Sequence, residues 1–214
     1  MTAIKMTVPN RQFLGFCECV DDYATGIESG IEVFGFTSGE FSLIDVIKAV
    51  VRKMDSPKMV LSTWTAAKAE MDHVFAFLES GSVKSARWIV DRSFQNRQPQ
   101  LCQALRATFG DNAIRVQRVH CKFALIWDND KCVSVQTSAN LNRNLRIENV
   151  CVSSCPVFFD AYKALAEDIF QFQQPGDGFE CSANVTESFR KVAQKPDRKR
   201  KFVLKSPNST PTAF

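Results

Sequence analysis

Residues 59–116 read MVLSTWTAAKAEMDHVFAFLESGSVKSARWIVDRSFQNRQPQLCQALRATFGDNAIRV, and the apolar spacing changes its period repeatedly along them. Met59–Trp64 is a short apolar run bounded by turn residues, the pattern of a buried strand. Ala66–Leu78 then repeats at helical spacing, Ala86–Asp91 reads as strand, Pro99–Phe109 as helix and Ala113–Val116 as strand. Strands that alternate with helices of this length need crossover connections, which bury a sheet between helix layers. The pattern predicts an α/β fold with a mixed, mainly parallel sheet between helices.

Upstream, Leu43, Ile44, Val46, Ile47, Val50 and Val51 recur at helical spacing within Phe41–Met54, with Ser42 and Asp45 set as a capping box. Asp55-Ser56-Pro57 ends that helix. Residues 1–35 carry strand-like pieces such as Ile31–Phe36 without a clear period and are left as an unassigned lead-in. Downstream the rhythm changes. His120–Trp127 and Lys131–Thr137 flank Asp128-Asn129-Asp130, a turn composition that predicts a hairpin. A strand at Glu148–Val152 and an amphipathic helix at Phe158–Phe172 complete a domain spanning 36–175. From 176 to 214 the chain turns polar and then basic, the composition of a disordered tail.

The chain has 214 residues, 45% hydrophobic and 23% charged, enough to bury one core and too short for a multidomain machine. The net charge of +4 is unevenly placed. Arg190–Lys205 holds eight Lys or Arg against one Asp, which leaves the remainder at −3. A basic tail on a slightly acidic body favours nucleic acid as partner, and the same run equally suits an acidic membrane surface or a targeting signal. The eight cysteines follow an opening, MTAIKMTVPNRQF, without an apolar signal region, so reduced thiols and a cytoplasmic location are expected. Cys17-x-Cys19 and Cys151-x-x-x-Cys155 lack the paired spacing of structural zinc sites and read as buried thiols. No apolar run is long enough to span a membrane, and membrane contact is disfavoured.

Chemistry concentrates in His120-Cys121-Lys122, Ser138-Ala139-Asn140 and Glu148. Residues two apart on a strand share a face, so His120 and Lys122 are aimed together while Cys121, Phe123 and Leu125 turn into packing. Ser138 and Asn140 lie just past the hairpin's second strand, beside the start of the first. The set offers a nucleophile (His120), a fixed cation (Lys122), neutral donors (Ser138, Asn140) and a carboxylate to orient the imidazole (Glu148). It matches the charge of a phosphodiester and needs no metal or other cofactor.

At these residues the chain resembles the phospholipase D superfamily, whose pattern is His-x-Lys, an Asp five residues after the Lys, then Gly-Ser-x-Asn and a downstream Glu. Two positions depart: Trp127 stands at the Asp position, with Asp128 one step later, and Thr137 precedes Ser138 in place of Gly. The Asp is read as structural, and Thr137 as a residue that narrows specificity or marks a chain that binds without cutting. The resemblance implies a metal-independent phosphodiesterase, a nuclease cleaving DNA or RNA through a phosphohistidine. Such enzymes use two His motifs and this chain has one, since His73 sits in a helix with Phe75 where a Lys would be needed. A homodimer that joins two copies of His120 is therefore implied. Lys122, Asn140 and Arg143, with Arg198, Lys199, Arg200 and Lys201 of the tail, are the expected substrate-binding residues. The alternatives are a non-catalytic nucleic-acid-binding protein of the same fold and, more remotely, a lipid phosphodiesterase.

Overall fold

A computed structural model describes residues 11–141 and 145–179. In chain order these form β1 (Arg11–Phe16), a 3₁₀ turn at Val20–Ala24, α1 (Gly26–Ser29), β2 (Glu32–Thr37), α2 (Leu43–Val51), β3 (Lys58–Thr63), α3 (Lys68–Glu79) and β4 (Ser85–Asp91). There follow α4 (Ser93–Arg97), α5 (Pro99–Phe109), a second 3₁₀ turn, β5 (Ile114–Gln117), β6 (Lys122–Trp127), β7 (Cys132–Thr137), β8 (Glu148–Ser153) and α6 (Pro156–Phe172).

The eight strands make one sheet in the order β1-β2-β8-β7-β6-β3-β4-β5. β3, β4 and β5 pair in parallel, as do β1 and β2, while β6, β7 and β8 link the two groups through antiparallel pairings. Tracing the directions, only β6 and β8 run against the rest. The sheet is mixed and mainly parallel in strand direction, as the period changes predicted. The lead-in differs from expectation: residues 11–35 contribute β1 and helical turns, and β2 begins at Glu32. Gly35 sits inside β2 because a Cβ there would meet the Tyr23 hydroxyl at 2.5 Å, so the strand lacks a side chain where the buried Tyr23 packs.

The register assigns the faces. Val60, Ile89, Phe123 and Leu125 pack with Phe159 and Ala166 of α6 on one side. On the other, Leu61, Trp88 and Ala124 share a face by pairing, and Trp88 meets Phe109 of α5 at a ring separation of 5.0 Å. α2 is capped as its sequence requires, with the Asp45 carboxylate accepting from the Ser42 amide and hydroxyl at 3.0 Å each. Asp128 accepts from the amides of Asp55, Asp130 and Lys131 at 3.0, 2.9 and 2.7 Å, which ties the β6–β7 turn together and holds its carboxylate below the usual range. Among the described residues no helix is long and apolar enough to cross a membrane.

Leu125 lies at the centre of this sandwich with no exposure. Leu125→Ala should cost about 2–5 kcal/mol in a denaturant titration, the usual penalty of a cavity in a close-packed core.

Candidate active site

β3, β4, β5 and β7 end, and β6 and β8 begin, along one edge of the sheet. Loops at the carboxyl ends of strands are where an α/β sheet gathers ligand groups. Lys122 pairs with Thr137 across β6 and β7, and Glu148 pairs with Thr37 across β8 and β2. The hairpin thus places Lys122 beside the Ser138–Asn140 turn, as its spacing required.

His120 stands two residues before β6 and is exposed, while Lys122 is only 8% exposed. The Lys122 amine lies 3.1 Å from Nδ1 and 3.2 Å from Nε2 of His120. An ammonium has protons to give and no lone pair, so it donates to a ring nitrogen that carries none. Burial pushes the Lys122 pKa below its ordinary value, and the nearby Glu148 carboxylate pulls it back up. Cys121 departs from the expected packing: because β6 starts only at Lys122, strand alternation does not reach it, and its thiol is exposed. Its carbonyl accepts from the Ser62 hydroxyl at 2.9 Å, which anchors the segment to β3.

Ser138 donates its hydroxyl to Glu148 and receives the Asn149 amide at 3.1 Å. In the free chain Glu148 therefore holds Ser138, and the hydrogen bonds of His120 go to Lys122. Thr137 turns its hydroxyl into the backbone, donating to the Asn149 carbonyl at 2.7 Å and accepting from the Ala139 amide at 3.0 Å. It builds the turn that presents Ser138 and Asn140. The Asn140 Oδ1 is buried with no hydrogen-bond partner among the described residues. Leu141 is fixed by its carbonyl, 2.7 Å from the Ala67 amide. Asp128 lies at the opposite end of β6 from His120, so its structural role agrees with the reading of that position. Arg143 and the basic run Arg198–Lys201 lie outside the described residues.

Several contributors at this edge were not singled out from sequence. Asp91 accepts from the Val119 amide at 3.0 Å and the Ser93 amide at 2.9 Å, and so fixes the residue before His120. Its signal was its place, an acidic residue ending a buried strand. The Trp64 ring lies 5.8 Å from the His120 ring, and Arg92, Arg118 and Arg146 stand on the loops around the same edge. Of the four cysteines read as buried thiols, Cys17 is buried, Cys151 and Cys155 are half-buried and Cys19 is exposed. His73 is exposed on α3, away from this edge.

The fold is thus a mixed sheet between helix layers, with His120, Lys122, Ser138 and Asn140 on the loops and strand ends of one edge. No protein-family model matches the sequence, and no curated protein does. Among solved structures the chain is similar to a phospholipase D family member, Nuc, from Salmonella typhimurium, at 16% identity and TM-score 0.45 over 65% of this chain and 93% of that one. It is also similar to NucT from Helicobacter pylori, at 12% identity and TM-score 0.45 over 65% of this chain and 96% of that one. A polyphosphate kinase from Porphyromonas gingivalis aligns with 79% of this chain at 14% identity and TM-score 0.49, and this chain spans 31% of that protein.

Lys122→Met tests the electrostatics. Lys122's folded pKa is depressed, so the unfolded chain holds that proton to higher pH, and stability rises with pH between the two values. At neutral pH the buried charge is therefore a cost. The variant should melt at or above the wild-type temperature near neutral pH, with the gap closing toward the ordinary lysine range, in thermal scans across that window.

Proposed function

We propose that the protein is a metal-independent phosphodiesterase of the phospholipase D type that cleaves nucleic acid as a homodimer. The observation that carries this reading is the contact of a nearly buried Lys122 ammonium with the exposed imidazole of His120, within reach of Glu148. A desolvated cation held against a nucleophile is costly unless an anion is to be bound there.

A phosphate oxygen arriving at Lys122 takes the amine's hydrogen bonds and frees the ring nitrogen. That nitrogen attacks phosphorus, forming a P–N bond as the P–O bond to the leaving group breaks. Lys122, the Asn140 amide and the Ser138 hydroxyl receive the charge that builds on the phosphoryl oxygens. Glu148 keeps Ser138 in place and balances the cation. The leaving oxygen takes its proton from His120 of the partner subunit, which then draws a proton from water as that water displaces the imidazole. A single chain holds one such imidazole, so two copies make one site.

Two surface features support the assembly and the substrate. Leu145 and Ile147, 88% and 68% exposed, lie on the segment entering Glu148, an apolar lip of the kind a second copy covers. Arg92, Arg118 and Arg146 on the loops of the same edge, with Arg97 at the end of α4, stand around the site, and a polyanion is the ligand that engages spaced cations of this sort.

Incubation with plasmid and with single-stranded DNA and RNA in the presence of chelator should give cleavage, and His120→Ala should abolish it while leaving the melting temperature unchanged. Ile147→Glu should shift the solution mass toward monomer and lower the specific activity in parallel. Cleavage retained by His120→Ala overturns the mechanism; binding without cleavage by the wild type assigns a non-catalytic nucleic-acid-binding role.

A further inference from the structure

Beside His120 lies a stack that the phosphoryl chemistry leaves unused. Trp64 follows β3 directly, half-buried, and its ring is tilted 55° to the His120 ring. The guanidinium carbon of Arg97, from the end of α4, lies 3.6 Å from the centroid of the Trp64 ring. Two further contacts hold it: Nη2 donates to the Trp64 carbonyl at 2.8 Å and Nε to the Ser93 hydroxyl at 3.0 Å. A ring, a carbonyl and a hydroxyl are all neutral, so these contacts fix the plane of the guanidinium without cancelling its charge.

An exposed arginine ordinarily samples many rotamers, and ordering it costs affinity. Here that cost is met within the free protein. A guanidinium laid flat on an indole offers its outer face as a cationic plane, and nucleobases stack on such planes as they do on aromatic rings. Trp64 also borders His120, so one indole links the guanidinium plane to the imidazole.

We propose that Arg97, held flat by Trp64, is a shelf for the nucleobase adjoining the phosphate at His120, and that the substrate is accordingly single-stranded nucleic acid. The inference rests on the phosphodiesterase reading and narrows it. A base paired in a duplex keeps its faces stacked on its neighbours and cannot occupy the shelf, whereas an unpaired base is free to swing onto it. Lipid phosphodiesters carry no such plane.

The test is fluorescence anisotropy of a labelled oligothymidylate, an abasic oligomer of equal length and the oligothymidylate duplex, each with full-length His120→Ala protein to prevent turnover. The oligothymidylate should bind more tightly than either of the others. Arg97→Lys, which keeps the charge and removes the plane, should weaken oligothymidylate binding by about tenfold and leave the abasic oligomer nearly unaffected. Trp64→Leu should give the same pattern and Trp64→Phe should retain most of the affinity, which separates loss of the shelf from loss of folding. Equal weakening on both single strands, or none on either, overturns the shelf and leaves the phosphodiesterase reading standing. Failure to bind any of the three oligomers removes both.

Discussion

The arrangement turns on a lysine held where water barely reaches it. Lys122 opens β6 at a sheet edge, is 8% exposed, and meets two ring nitrogens and a nearby carboxylate. Leaving it there requires that the strand start at this residue and that β7 lie directly beside it. Both conditions follow from the β6–β7 hairpin, whose turn is tied by Asp128 at the far end. The geometry at one edge is thus set by a carboxylate at the other, with the apolar strand between them transmitting the register.

Much of this was legible because apolar period and turn chemistry speak directly for buried elements. Pro99–Phe109 forms α5 with the bounds its pattern gave, since proline at the first helical position and glycine after the last leave little choice. The hairpin and its cross-pairing of Lys122 with the end of β7 followed from Asp128-Asn129-Asp130. β1 was opaque for a physical reason: it is an edge strand with one pairing, carries Gly15 in a left-handed conformation, and leaves Phe13 and Phe16 exposed, so no alternation marks it. The first helical turns failed likewise, being too short to show a period.

At the site, spacing predicted proximity better than it predicted pairing. Lys122 meets His120 and lies near Glu148, yet Glu148 accepts from Ser138 where an imidazole was expected. Strand period fixes which side a residue faces to within a few ångströms; hydrogen-bond choice depends on rotamers that the period does not encode. Cys121 shows the same limit. Alternation extends only as far as the strand, and one residue before it the rule has no hold. Thr137 shows the reverse case, a departure from a pattern that geometry accommodates, its hydroxyl supplying turn bonds that shape the Ser138–Asn140 segment.

Two cations at this edge are held by opposite means. Lys122 is buried, short of water and backed by a carboxylate, so its charge is compact and weakly screened. Arg97 is exposed, always charged, and oriented by an aromatic ring, so it discriminates by shape. Exchanging their residue types would serve neither. A guanidinium at the start of β6 would need room that the close pairing with Thr137 does not leave, and an ammonium on Trp64 would keep the cation–π attraction while losing the flat outer face. Lysine and arginine at this edge therefore differ physically, one presenting a compact and poorly hydrated charge and the other a flat, oriented one.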